Sequence, residues 1–334
     1  MKKIPKTTDG LMRHMRNNKK IQISGSKEKI QLRNIGYFHG YKGYNFFLDK
    51  SDELPFKKFS ELQSLYDFDA EIKSLFYKHV MFSETAIKNR MLEIIHSNSG
   101  FDLESLFEKS LTNYKKYKPG SKDYKNSLKN TLRLQSEIYD IIHSNHASKS
   151  FIYHFIYKNR PVPTYAVFEL LTLGNLVFIT RCLDPKLKIK TLKDLKLYTS
   201  SFEKGENILG DLIDLLKGLR NAIAHNGILY DCRFKDSNIS SRVSNFISIK
   251  TGVTEVKFDR IVDYLVLIIL ICGSLSYTKT ELKKIVKSFE SYVEVLRNSL
   301  STSTYHKVIG TDVKKKIISI KNFINNLDNY LDVE

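Results

Sequence analysis

Cysteine is scarce in this chain of 334 residues, which contains only three. Cys182, Cys232 and Cys272 lie too far apart along the sequence for metal-ligand spacing, and their odd number argues against a disulfide framework. The sequence also offers no carboxylate cluster suited to a metal. We therefore expect reduced thiols, no bound metal and no cofactor.

A long hydrophobic segment is also missing. The longest apolar run, Tyr264 to Leu275, is too short to span a bilayer and predicts a buried core helix instead. The stretch from Met1 to Gly10 carries charge without an apolar core, unlike a secretory signal. These absences predict a soluble, cytoplasmic protein without a membrane partner.

Glycine and proline are few, at 15 and 6 residues, and segments with helical spacing of apolar residues dominate. The sequence therefore predicts a mainly α fold. The strongest signal runs from Ser60 to near Gly100, as one very long helix or two broken ones. A second broad apolar stripe begins near Asn207 and ends at Asn226-Gly227, a good C-terminal signal.

Three regions follow from this pattern: an N-terminal extension of helices and an aromatic loop (1–54), a central helical domain (55–280) and C-terminal helices packed on it (281–334). In the extension, Tyr37, Phe38, Tyr41 and Tyr44 lie in a glycine-rich turn and are expected to be core residues rather than base-stacking ones. Between Gly227 and Val256, short β-branched runs predict a long loop or a small hairpin.

Basic residues exceed acidic ones by 54 to 36, a net charge of +18. Such an excess attracts a polyanion, of which nucleic acid is the commonest and a membrane surface the weaker alternative. Phosphates would pair with the lysines and arginines, and unpaired bases could stack on tyrosines. A solvated face explains any single cluster, but the net charge argues against all of them being idle. The candidate RNA-binding residues form three clusters: Arg13, Arg16, Lys19 and Lys20; Tyr114, Lys115, Lys116, Tyr117 and Lys118; and Lys314, Lys315 and Lys316.

The candidate catalytic residues are Arg220, Asn221 and His225. Arginine presents a planar fork to phosphate oxygens, and histidine can move protons near neutral pH. Asn221 shares a helix face with His225 and could fix the orientation of its imidazole. Arg220 and His225 lie about 140° apart around a helix, so two copies facing across a two-fold axis would bring these groups together best.

Glu84 and Lys88 are charged residues four apart on a mostly apolar helix. One interpretation is a simple ion pair along the helix. The other is that Glu84 orients Arg220 from a neighbouring helix, with Lys88 as a further supporting residue. The sequence does not separate the two.

Several segments carry a family resemblance. Arg220-Asn221-x-x-x-His225 resembles the R-x4-6-H signature of the HEPN superfamily, and the wider chain resembles Abi-like abortive-infection proteins of the AbiD/AbiF type. The matching segments are Ile35 to Tyr44, which is similar to a GYY…GY motif; Leu65 to Asp69, similar to LY.FD; Glu84 to Lys88; and Pro161 to Tyr165 with Glu169 to Gly174, similar to P.P.W….lsfG. They occur in the family's order over about residues 10 to 235.

The resemblance implies a HEPN-type helical bundle, a role in bacterial phage defence, and RNA as target or partner, including a small noncoding RNA. Tyr165 stands where the family usually has tryptophan. The pattern Arg-Asn-x-x-x-His occurs once in the chain, so a second copy of it would come from another subunit of a homodimer.

Three functions are compatible with the sequence. The leading hypothesis is a metal-independent HEPN endoribonuclease of phage defence that uses Arg220 and His225. The alternative is a non-catalytic RNA-binding HEPN protein held in a complex with a small noncoding RNA. A protein-interaction scaffold is a third, and the presence of both Arg220 and His225 favours the first over it.

Overall fold

The computed structural model describes residues 7–48, 51–200, 202, 207–235 and 239–328. Within these ranges every regular element is helical, which confirms the mainly α prediction. The α-helices are α1 (Thr8–Lys19), α2 (Gly25–Tyr37), α3 (Phe59–Ser99), α4 (Leu103–Ser105), α5 (Lys122–Asn145), α6 (Ser150–Ile156), α7 (Thr164–Leu170), α8 (Leu173–Cys182), α9 (Pro185–Asp194), α10 (Ile208–Ala224), α11 (Ser241–Thr251), α12 (Ile261–Ser274), α13 (Lys279–Ser299), α14 (Thr302–Ile309) and α15 (Val313–Asn325).

The long helix α3 is continuous over 41 residues, which confirms the first of the two alternatives for this segment. The carboxylate of Glu61 accepts hydrogen bonds from the backbone N–H groups of Lys57 and Lys58 and so fixes its start. Gly100 ends it with a φ of 69°, a conformation that favours glycine. Because α3 contacts α10, α12 and α13, it runs through the middle of the bundle.

Helix α12 is the buried centre that the apolar run predicted. All of its residues, Ile261 to Ser274, are buried, and α3, α11, α13 and α15 pack around it. A helix that is apolar on every side must be covered on every side. None of the helices in the described ranges combines the length and hydrophobicity that a bilayer span requires.

Helix α10 carries the candidate catalytic residues and packs its apolar stripe against α8 and α3. It ends as the sequence predicted. Asn226 adopts a left-handed conformation with φ 52°, and the N–H of Gly227 donates to the carbonyl of Ala222 at 2.7 Å. This tight turn leaves His225 at the very end of the helix.

The predicted hairpin after α10 is wrong. Helix α11 occupies Ser241–Thr251, inside the segment for which the β-branched runs predict a long loop or a small hairpin. Val243, Phe246 and Ile247 are buried at helical spacing, and the Ser240 side chain caps the helix. Burial of this apolar face outweighs the local β propensity.

The aromatic turn at the end of α2 is only half buried. Tyr41 and Tyr44 lie in the core as expected, but Tyr37 and Phe38 are about half exposed, so the prediction was wrong for these two. Gly36, with φ 73°, kinks the chain directly before them, and a single π-helical turn follows at Phe38–Lys42. The two rings at the start of this turn are therefore at the surface, whereas the two that follow are buried.

Candidate active site

Arg220 is held in place by two hydrogen bonds. Its Nε donates to Oε2 of Glu84 on α3 at 3.2 Å, and its Nη1 donates to Oδ1 of Asn221 at 3.1 Å. The Glu84 side chain is 9% exposed and that of Arg220 is 29% exposed. An arginine carries five N–H donors, so this arrangement leaves donors free to meet a phosphate from the solvent side.

The structure separates the two interpretations of Glu84 and Lys88. Within the described residues, Glu84 pairs with Arg220 and not with Lys88, whose Nζ donates to the backbone carbonyl of Leu171 at 2.6 Å. The contact between Glu84 and Arg220 is the one that an orienting role requires. Lys88 instead ties α3 to the chain between α7 and α8.

His225 is exposed and follows the last residue of α10. Its backbone N–H donates to the carbonyl of Asn221 at 3.0 Å. The Asn221 side chain accepts a hydrogen bond from Arg220 through its Oδ1, and its role in orienting the imidazole stays a prediction. The His225 side chain is accessible to solvent at the end of α10.

A lysine secures the turn beside His225. Lys73 Nζ on α3 donates to Oδ1 of Asn226 at 2.9 Å and forms an ion pair with Asp69 at 2.8 Å. Helix α3 thus contacts both ends of the candidate site: Glu84 holds Arg220, and Lys73 holds the residue after His225.

Asp69 is the centre of a buried network that sequence reasoning did not assign to the site. It is 0% exposed and accepts the backbone N–H groups of Leu229 and Tyr230 at 2.8 and 2.7 Å, together with the Tyr44 hydroxyl at 2.8 Å. Its second oxygen also meets Lys73. A carboxylate among apolar helix positions was the signal that could have found it.

The Asp69 network joins the segments that carry the family resemblance. The rings of Tyr44 and Tyr230 stack with centroids 5.7 Å apart, and burial together with the charge of Asp69 raises the pKa of the Tyr44 phenol well above its usual value. Tyr44 therefore stays protonated and donates. The aromatic turn, the LY.FD helix and the chain after His225 meet at one point.

A second buried carboxylate, that of Asp231, also joins the N-terminal extension to the chain after α10. Asp231, which is 0% exposed, accepts the N–H of Leu48 at 2.8 Å and forms a two-pronged ion pair with Arg233. The Arg233 guanidinium lies 4.6 Å from the centroid of the Phe46 ring. The N-terminal extension therefore holds the segment from Asp231 to Arg233, which follows the candidate site in the chain.

A family match covers the segments that meet at Asp69. Residues 30–231, more than half of the chain, match the family of Abi-like proteins. The chain belongs to this family. Membership places it among the abortive-infection proteins of phage defence, and the match contains the whole Asp69 network and the Arg220–His225 segment. Searches of curated proteins and of solved structures found no match.

The basic clusters of this Abi-like protein differ in their availability. Lys19 forms an ion pair with Glu53, and Arg16 donates to the carbonyl of Ile23 while remaining exposed. Arg13 and Lys20 are exposed. This cluster therefore offers part of its charge to a ligand.

The lysine–tyrosine cluster lies in a short helical turn and in the chain that leads into α5. Asn113–Lys116 form a 3-10 turn, and α5 already begins at Lys122. Lys115 lies over the Tyr114 ring and Lys116 over the Tyr117 ring, at 5.9 and 5.2 Å. Lys118 is exposed.

Lys316 departs from its predicted role. It is 4% exposed and forms ion pairs with Asp263 at 2.7 Å and with Asp312 at 3.1 Å. Its charge compensates a buried carboxylate, so it cannot reach a phosphate in the folded protein. Lys314 and Lys315 are exposed and stay available.

The described ranges of this Abi-like protein contain no metal-ligand cluster. No three His, Cys, Asp or Glu side chains there lie close enough to hold a metal ion.

Proposed function

We propose that this Abi-like protein binds RNA and cleaves it as a metal-independent HEPN-type endoribonuclease. One observation carries the proposal: the end of a single helix presents both an anchored arginine and an accessible histidine. Glu84 and Asn221 fix Arg220 while leaving donors free, and His225 projects from the end of the same helix.

In the proposed reaction, the 2′-hydroxyl oxygen of a ribose attacks the adjacent phosphorus and the bond to the 5′-oxygen breaks. One imidazole accepts the proton of the 2′-hydroxyl, and a protonated imidazole donates one to the leaving oxygen. Arg220 stabilises the extra negative charge of the transition state. The products are a 2′,3′-cyclic phosphate and a free 5′-hydroxyl.

Two histidines are needed if one acts as base and one as acid, and the Arg220–His225 segment of one copy supplies only one. We therefore propose that two copies place their α10 ends around one cleft, with two Arg220 and two His225 side chains. Adding excess His225→Ala protein to the wild type should lower the activity per wild-type subunit, because a mixed dimer keeps only one His225. A wild-type monomer with full activity would exclude the shared cleft.

The test of catalysis is RNA cleavage in EDTA by purified protein. His225→Ala should lower the rate by about 10²–10⁴-fold with little loss of RNA affinity. Arg220→Ala should also lower it, and Arg220→Lys should not restore it fully, because a lysine lacks the fork. His143→Ala, which removes another exposed histidine, is the matched control. Undiminished cleavage by His225→Ala would leave only RNA binding.

RNA binding itself should depend on charge. Affinity is expected to fall steeply between about 50 and 200 mM salt, as the release of counterions requires. Charge reversal at Lys115, Lys116 and Lys118 should weaken binding, whereas reversal at the buried Lys316 is no test of contact. Affinity that stays constant across this range of salt would contradict the proposal.

A further inference from the structure

Four exposed aromatic side chains and the half-buried Phe155 lie after the end of α3 and around α6 and α7, outside the candidate active site. We call this set the aromatic surface, and it consists of Phe101, Tyr153, Phe155, Tyr157 and Tyr165. Phe101 is 60% exposed, Tyr157 66% and Tyr165 42%. Large rings seldom stay this exposed together on a protein that binds nothing there.

The rings form two groups. Tyr153 and Tyr157 stack with centroids 5.4 Å apart and planes 25° from parallel. Tyr165 meets Phe101 and Phe155 edge to face, with centroids 6.0 and 6.2 Å apart. The surface therefore presents both flat faces and edges to the solvent.

The backbone beneath the rings is already ordered. The N–H of Thr164 donates to the carbonyl of Phe101 at 2.9 Å, and the N–H of Arg160 donates to the carbonyl of Phe155 at 2.9 Å. Pro161 and Pro163 restrict the chain between α6 and α7. A ligand that stacks on these rings would lose little free energy in ordering them.

The segment that carries four of the five rings has a positive charge. The sequence from 147 to 165 contains Lys149, Lys158 and Arg160, all exposed, and no acidic residue. Asp102, next to Phe101, is engaged in capping the N–H of Ser105. This charge suits phosphates.

The segment that carries four of the rings also contains no exposed large aliphatic residue. The exposed large aliphatic residues in the described part of the chain are Ile30, Leu48, Leu132, Ile249, Val295 and Ile318. None of them falls between 147 and 165. Flat rings with cations and without exposed aliphatic side chains favour nucleobases over an apolar protein face.

We propose that the aromatic surface stacks the unpaired bases of a single-stranded RNA segment, while Lys149, Lys158 and Arg160 hold its phosphates. This inference rests on the RNA binding proposed above and assigns a binding site to it. Each base has a flat face, so the surface selects single strands without reading a particular sequence.

The test compares two fluorescent oligonucleotides about 12 nucleotides long, within the range that single-strand-binding surfaces cover. One is 2′-O-methyl oligouridylate, which cannot be cleaved through its 2′-oxygen, and the other is its abasic counterpart with the same number of phosphates. Wild-type protein should bind the oligouridylate more tightly. The double variant Phe101→Leu/Tyr157→Leu should bind it about 10-fold more weakly and lose the preference over the abasic strand.

The control is Phe38→Leu, which removes an exposed ring far along the chain and should keep the preference. A double variant that retains the preference would overturn the inference, as would one that changes only the oligomeric state, because the surface would then be a protein interface. Wild-type protein that binds both strands equally would refute this surface while leaving RNA binding intact. Wild-type protein that binds neither strand would refute RNA binding and the surface together.

Discussion

Replacing Asp69 by asparagine removes the charge at the centre of the network behind the candidate site and should destabilise the protein by about 2–4 kcal/mol. Asparagine keeps one acceptor oxygen for the N–H groups of Leu229 and Tyr230. Its amide nitrogen, however, faces the Tyr44 hydroxyl and Lys73, both of which donate to Asp69. Lys73 can turn toward Asn226, but the proton of the buried Tyr44 hydroxyl loses its acceptor.

The matched control is Asp67→Asn, two residues away on the same helix. Asp67 is exposed and accepts only from Gln63 at 2.7 Å, so its loss should change stability by no more than about 0.5 kcal/mol. Urea unfolding measures both variants. Hydrogen exchange of the Leu229 and Tyr230 amides should accelerate in Asp69→Asn alone.

Equal unfolding midpoints for the two variants would refute the reasoning. An Asp69→Asn protein that is destabilised while the amides of Leu229 and Tyr230 exchange at the wild-type rate would refute the local part of it, because those N–H groups bind the carboxylate directly. At a temperature where the variant remains folded, slower RNA cleavage would connect the network to the position of His225.

Two further predictions concern buried charge. Lys316→Met leaves its buried aspartate partner uncompensated and should destabilise the protein by about 3–5 kcal/mol in urea unfolding, whereas the exposed Lys315→Met should not. Burial, with a smaller contribution from the charge of Lys78, lowers the pKa of His79. The unfolded chain then binds more protons, so stability should fall as pH drops below about 6.5; His79→Gln should reduce this dependence and the exposed His143→Gln should leave it unchanged.

The fold was largely predictable because most of its helices are defined by their own apolar spacing. The stripe of α10, its end at Asn226-Gly227 and the fully buried α12 follow from local pattern alone. The segment after α10 did not, because the β-branched residues near Ile247 suit a strand as well as a helix. Only packing against α10 and α12 decides between them.

The residues of the candidate site were proposed from the sequence, but the hydrogen bonds that hold the segments around it together were not. Arg220 and His225 are visible in a short motif, and Glu84 was one of two readings of a charged pair. The contact of Asp69 with Leu229 and Tyr230 joins positions 160 and 161 residues apart, and no local pattern encodes such a distance. Likewise, nothing in a run of three lysines reveals that only Lys316 turns inward.

Helix α3 links the candidate site to helices that lie beyond the residues matched by the family. The match ends at residue 231, but α3 also packs against α13, where the rings of Phe76 and Phe289 lie nearly parallel with centroids 6.4 Å apart. The same helix holds Arg220 through Glu84 and the turn after His225 through Lys73. Since a helix keeps its residues at fixed spacing, the packing of α13 on one part of α3 helps to set where Glu84 and Lys73 stand on another. The C-terminal helices therefore belong to the structural support of the site, although they carry none of its chemical groups.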